Sequence, residues 1–294
     1  MPVGLGTLNL QLRPPLPDAG QSPRMAASSP KPEGRAANTI TTEILDSLAE
    51  IERTRDVRIL YAAEAGSRAW GFESPDSDYD VRFIYVHPRN WYLSLREQRD
   101  VIEQPLTGLL DVSGWDLCKA LRLFGSSNPA LYEWLLSPIV YTESGTLAKE
   151  LRALATSSYS HRALAWHYYR MAERNYDRYI RDGDKARLKK YLYVIRPLVM
   201  IYWMAACQAL PPIHLETALA GLDLPASFRA ALDNLLDSKR RTPELGEGPR
   251  APELDQWIEE SLRFAEQYCS HAQDERPSIQ KLDAIYRING VRLD

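Results

Sequence analysis

Two aspartates one residue apart, at the head of an otherwise apolar run, restrict what this chain can fold into more than any other feature. The run is YDVRFIYV, 79–86, and the pair is Asp78 and Asp80. On a strand, residues two apart share a face, so Asp78, Asp80 and Arg82 project together while Tyr79, Val81 and Phe83 turn to the core. Like charges on one face repel and call for a cation. Mg²⁺ suits them best, because it prefers hard oxygen ligands and is commonly shared between carboxylates and substrate phosphates. Mn²⁺ is the natural substitute, and no His or Cys lies near enough in the sequence to favour zinc.

Upstream, VRILYAA reads as a strand ending close to Gly66 and Ser67. A glycine there admits a phosphate to the backbone, and successive N–H groups form an anion nest to which the Ser67 hydroxyl adds a donor. A helix starting near Arg68–Trp70 would favour the same anion. The order strand, Gly-Ser, short polar loop, Asp-x-Asp on a second strand therefore predicts a triphosphate seated between the turn and the metal carboxylates.

Around this centre the chain changes character. Residues 1–38 hold seven prolines and no apolar period, and are expected to be a disordered tail. Thr41 or Thr42 is expected to cap a helix through Ile44, Leu48 and Ile51. VIEQPLTGLLDVSG predicts one or two further strands, and SGWDLCKALRLF a helix with Ser113 as N-cap. NPALYEWLLS predicts another helix, starting at Asn128 with Pro129 in first position. Beyond about residue 142 the pattern is helical, interrupted by a polar Pro/Gly loop at 240–253. The division expected is therefore tail 1–38, mixed α/β part 39–142 and helical part 143–294.

A net charge of −3 excludes a strongly basic nucleic-acid coat, so any nucleic acid must meet a local basic patch. Three scattered cysteines with no CxxC spacing read as reduced, buried thiols, and with no apolar leader the expected location is cytoplasmic. The run YLYVIRPLVMIYWMAACQAL approaches spanning length, but Arg196 and Pro197 in its first half mark it as a buried core helix, and no membrane association is expected.

The stretch GSRAWGFESPDSDYD resembles the signature of the DNA polymerase beta-type nucleotidyltransferase superfamily. SRAWGF…SDYDVRFIYV and SGWDL…NPALYEWLLSPIVY are similar to the predicted nucleotidyltransferases linked to RNA ligase and RNA repair, over roughly 40–294. The resemblance implies an α+β fold: a small mixed-sheet polymerase beta-like domain followed by an all-helical domain. It implies three carboxylates: Asp78, Asp80 and a third on a neighbouring strand. Asp111, in GLLDVSG, is taken as the third, with Glu103 as runner-up and Asp116 as a helix cap. It further implies a two-Mg²⁺ transfer of a nucleoside monophosphate from an NTP to an acceptor hydroxyl, with an RNA end as acceptor. Transfer to a small molecule or a partner protein, and an inactive nucleotide sensor, are the alternatives.

Arg82 then contacts phosphate or balances the carboxylates, and Arg68 contacts phosphate or lies on the surface. Trp70 stacks on a base or packs. Lys189, Tyr193 and Arg196, at i, i+4 and i+7, share a helix face expected to close over the triphosphate. For Arg196 the alternative is an internal salt bridge to Asp177 or Glu173, since a buried arginine needs an anion. His167, Arg170 and Arg174 form a second face, for an acceptor's phosphates or simply solvated.

Overall fold

The structure, a computed structural model, describes residues 36–106, 108–182, 185–241 and 246–290. Helix α1 (Ala36–Arg55) leads into strand β1 (Arg58–Glu64) and the short helix α2 (Gly66–Trp70). Next come β2 (Tyr79–Val86), α3 (Arg89–Tyr92), β3 (Val101–Glu103) and β4 (Leu110–Asp116). Then follow α4 (Leu117–Gly125), α5 (Pro129–Leu135), β5 (Val140–Glu143) and α6 (Leu147–Ala155). The remainder runs α7 (His161–Tyr179), β6 (Lys185–Arg187), α8 (Leu188–Cys207), α9 (Leu215–Ala220), α10 (Ala226–Arg241), β7 (Glu247–Pro249), α11 (Pro252–His271) and α12 (Ile279–Asn289).

Five strands form one sheet in the order β3-β4-β2-β1-β5. The β2–β4 pairing is parallel and the other three are antiparallel, so the sheet is mixed. The class is the expected α+β, a small mixed sheet followed by helices. Alternation along β2 decides what covers each side. Val81, Phe83 and Tyr85 join Ile44, Leu48 and Ile51 of α1 in one apolar cluster. Ile84 and Val86 face the other way, into a larger cluster. That cluster holds Phe124, Leu135 and Leu151 of α4 to α6 together with Leu192 and Ile195 of α8, so apolar packing is continuous across residues 142–143. Asp80 and Arg82 share this second side, beneath the helical half.

Local starts and stops differ from expectation in three places. Helix α1 is already formed at Ala36, ahead of the Thr41 or Thr42 cap and inside the supposed tail, where Ala36 and Ala37 are strong helix formers; residues 1–35 lie outside the described residues. Ser113 does not cap α4. It lies within β4, and the cap is Asp116, as expected of that residue; its carboxylate accepts from the Cys118 N–H at 2.8 Å and from the Tyr92 hydroxyl at 2.6 Å. The parallel pairing carries β4 three residues further than turn signals suggest. Within the polar 240–253 stretch, Glu247–Pro249 pairs antiparallel with Lys185–Arg187. Asn128 and Pro129 start α5 as expected.

Asp116 is 1% exposed. Asp116→Ala should lower stability by about 1–2 kcal/mol, as an N-cap loss does, measured as a shift in urea midpoint at unchanged slope.

Four helices are tied together by one half-buried acid. Glu133 on α5 accepts from Trp70 Nε1 at 2.8 Å, from the Tyr168 hydroxyl of α7 at 3.0 Å and from Arg196 Nη1 of α8 at 2.9 Å. Arg196 also donates to the Ile213 carbonyl at 3.2 Å, and its guanidinium lies 4.3 Å from the centre of the Trp70 ring. This explains how α8 carries a charge and yet packs in the core: the charge is paired on one side and stacked on the other. Among the described residues no helix is long and apolar enough to cross a membrane. Of the three free thiols only Cys269 is buried; Cys207, at the end of α8, is exposed rather than buried as expected.

Candidate active site

Parallel pairing of β2 with β4 sets Asp80 directly beside Asp111. Both carboxylates turn to one point, where Arg82 Nη2 lies 2.8 Å from Asp80 Oδ1 and 2.8 Å from Asp111 Oδ2. Arg82 Nη1 also donates to the Asp111 carbonyl at 3.1 Å. Asp78 sits just before the strand and is exposed. Glu103 lies on edge strand β3, opposite Ser113, and pairs with Arg99.

Gly66 stands against this acid pair. Its φ is +60°, a conformation that side chains rarely adopt. A Cβ there would lie 2.0 Å from Asp80 Oδ2, so only glycine leaves room for the carboxylate. Gly66→Ala is expected to cost about 1–2 kcal/mol from backbone strain alone, with a further loss from the clash. Thermal melts of the single variants and the pair would show the clash part vanishing in an Asp80→Ala background.

Burial raises the Asp80 pKa above the usual carboxylate value. Arg82 opposes the shift, Asp111 and Asp78 add to it, and Lys189 offsets part of it. The Tyr193 hydroxyl is likewise pushed up, first by burial and then by Asp80 and Asp78. Lys189 and Tyr193 of α8 therefore lie within electrostatic reach of the aspartates, Lys189 exposed and Tyr193 half-buried. Arg196 does not join them. Although it shares their spacing, it is 2% exposed and turned into Glu133, which is its partner in place of Asp177 or Glu173. An arginine so enclosed has no face left for a triphosphate, and this corrects the expectation drawn from helical spacing.

Arg68 is also committed. Its Nε donates to the Asp78 carbonyl at 3.1 Å, its Nη2 to the Ser77 carbonyl at 2.6 Å, and its guanidinium lies 3.7 Å from the centre of the Tyr79 ring. It braces the loop that delivers Asp78. Trp70 packs, edge-on to Tyr193 at 5.9 Å between ring centres. Ser67 is buried, and its hydroxyl donates to Ser77 Oγ at 3.2 Å. His167, Arg170 and Arg174 are exposed on α7, where Arg170 lies over Trp166.

One residue of the site escaped the sequence reading. Glu64 ends β1 and is fully buried. Its carboxylate accepts from the Asp80 N–H at 2.8 Å and from the Tyr141 hydroxyl of β5. Burial raises its pKa, while Tyr141 and the Asp80 N–H counter the shift. Glu64 thus fixes the backbone that carries Asp80. The only signal was an acid closing an apolar strand immediately before the Gly-Ser turn.

Among the described residues no three His, Cys, Asp or Glu side chains gather as a ready metal cluster. The donor set nevertheless suits a hard divalent ion. Asp80 and Asp111 aim one oxygen each at the same cationic nitrogen, which shows that the acid pair converges on positive charge.

A mixed sheet with paired acids on adjacent strands, a glycine turn pressed against one of them and helices over that side define a nucleotidyltransferase-like fold. The chain belongs to RlaP, the RNA repair pathway DNA polymerase beta family, which it matches over residues 40–288. It is 46% identical over 219 residues to the uncharacterized protein YcgL of Bacillus subtilis (strain 168), covering 74% of this chain and 84% of that one. A crystal structure of a nucleotidyltransferase-like protein from Exiguobacterium sibiricum is a distant likeness, 12% identical with a TM-score of 0.29, covering 79% of this chain and 74% of the other.

Proposed function

We propose that the chain transfers a nucleoside monophosphate from a nucleoside triphosphate to an acceptor hydroxyl, the acceptor being an RNA end. The observation that carries this reading is the pairing of Asp80 with Asp111 across parallel strands, against the Gly66 turn. Asp78, Asp80 and Asp111 would hold Mg²⁺, or Mn²⁺ in its place. Such ions, when bound, neutralise charge on the phosphates and make the attacking hydroxyl more acidic.

The chain's own groups do the rest. Gly66 leaves room for the Asp80 carboxylate at the turn, and Ser67 orders the turn. Lys189 and Tyr193 grip the polyphosphate from α8. Arg82 balances the acid pair and moves toward phosphate as charge is brought in. Asp111, with its side chain 42% exposed, takes the proton from the acceptor hydroxyl. The acceptor oxygen forms a bond to the α-phosphorus, the bond from that phosphorus to the bridging oxygen breaks, and pyrophosphate leaves. Positioning and charge stabilisation supply the acceleration, with no covalent enzyme intermediate.

The test supplies each of the four NTPs with MgCl₂ and RNA bearing free 3′ hydroxyls, reading pyrophosphate release and product mass. The expected result is RNA heavier by one or more nucleotides. Transfer only to small molecules or proteins would move the acceptor assignment. Nucleotide binding with no pyrophosphate from any acceptor would replace the enzyme with a nucleotide sensor.

A further inference from the structure

A second cation approaches the Gly-Ser turn from the helical half, and the reaction above makes no use of it. Lys239, near the end of α10, is 2% exposed. Its Nζ lies 3.3 Å from Ser74 Oγ and 5.7 Å from the centre of the Phe72 ring. Among the described residues no carboxylate lies within salt-bridge distance of it. An ammonium buried without an anion is costly, and its stem alone would be served as well by methionine. Its pKa is lowered to about 8, first by burial and then by Lys189 and Arg68, with Asp76 and Glu73 opposing them.

From Lys239 a line of buried hydroxyls runs to the turn. Ser74 Oγ is 3.0 Å from Ser77 Oγ, and Ser77 Oγ also accepts from the Ser74 N–H at 2.9 Å and from Ser67 Oγ at 3.2 Å. Ser67, Ser74 and Ser77 are all buried. Arg68 holds the Ser77 and Asp78 carbonyls from the sheet side. The loop between the turn and the acids is thus clamped by two cations, one from each half of the molecule.

We propose that Lys239 is a positioning residue for the substrate's polyphosphate: through Ser74 and Ser77 it sets the Ser67 hydroxyl, and the anion bound at the turn supplies the negative charge that Lys239 lacks. This rests on the reading of the Gly66–Ser67 turn as a nucleotide site. An arriving anion favours the ammonium form, so nucleotide binding takes up protons where free Lys239 is partly neutral. Affinity is full below about pH 8 and falls as pH rises through it, by up to about tenfold per pH unit. The charged groups that face Lys239 and share in the effect are Lys189, Arg68, Glu73 and Asp76.

Isothermal titration calorimetry of the full chain with ATP, CTP, GTP and UTP in turn, with MgCl₂, between pH 7 and 10 tests this. Buffers of different ionisation enthalpy count the protons. The wild type should take up protons at pH 8 and bind more weakly above it. Lys239→Met should bind about tenfold more weakly at pH 7, without the pH step, yet melt at a higher temperature when nucleotide-free, because a buried uncompensated charge is gone. A merely structural lysine would not move binding and melting in opposite directions. Lys239→Arg should keep affinity and lose the pH step. Ser74→Ala, which keeps the amine, should weaken binding and retain the step. Lys239→Met binding within twofold of wild type with an unchanged pH profile would overturn the proposal, as would pH-independent binding by the wild type. Should Lys239→Met fail to fold, retention of the step by Lys239→Arg would overturn it equally. A wild type that binds none of the four nucleotides at any pH removes the nucleotide site itself, and the proposal with it.

Discussion

Asp80→Ala should abolish nucleotidyl transfer, by at least about a thousandfold or roughly 4 kcal/mol of barrier, while the chain stays folded. Of the three acids, Asp80 has the most restricted surroundings. It is set beside Asp111, pressed against Gly66, pinned by Glu64 through its backbone and within reach of Lys189. Glu64 cannot take its place, because it is already committed to the Asp80 N–H and Tyr141. Stability should change little. Burial raises the Asp80 pKa, so the fold gains nothing from the ionised group, and Arg82 keeps both its bonds to Asp111. Pyrophosphate release under saturating NTP, with circular dichroism and a thermal melt as controls, measures both halves. A variant retaining more than a tenth of the wild-type rate would remove Asp80 from the chemistry and the proposed reaction with it.

Glu133→Ala should be the most destabilising single change predicted here, costing about 3–5 kcal/mol in urea denaturation, as the breaking of a buried ion pair does. The variant strands a guanidinium that is 2% exposed, and it removes the acceptor for Trp70 Nε1 and the Tyr168 hydroxyl. Three donors, two of them on buried residues, lose their partner together, and the elements that bring them, α2, α7 and α8, lose their common tie to α5. Replacing both charges, as in Glu133→Leu with Arg196→Met, should recover most of the loss, since an apolar pair of similar volume avoids desolvation altogether. Because Trp70 follows Ser67 and Arg68 in the same short helix, the single variant should also loosen the Gly66–Ser67 turn and weaken nucleotide binding. A loss below about 1 kcal/mol would show that solvent reaches Arg196 and that the hub does not join the two halves.

The two predictions also mark what was legible in the sequence. Asp80 was legible because its signal is local: alternation of side chains puts Asp80 and Arg82 on one side of β2, and a glycine lies where the chain takes a positive φ. Asp111 entered through the family's strand order, and parallel pairing brings it to Asp80 from 31 residues further along the chain. Arg196 was legible as a buried charge in need of an anion, but its spacing with Lys189 and Tyr193 suggested a triphosphate where the structure supplies Glu133. Helical spacing names a stripe; it does not say which neighbour covers each turn of it. Glu64 left only the faint signal of an acid closing an apolar strand, Glu133 and Lys239 left none, and each has its role from a partner far off in the chain: Tyr141, Arg196 and Ser74 respectively.

By itself, then, the amino-acid sequence determined the α+β class, the strand that carries the acids, the glycine turn before it and the helical second half. All of these follow from side-chain period and backbone preference over a few residues. Only the tertiary structure decided which cations meet which anions. Burial makes an unpaired charge so costly that its partner must be found wherever packing brings one, and packing distance bears no relation to distance along the chain.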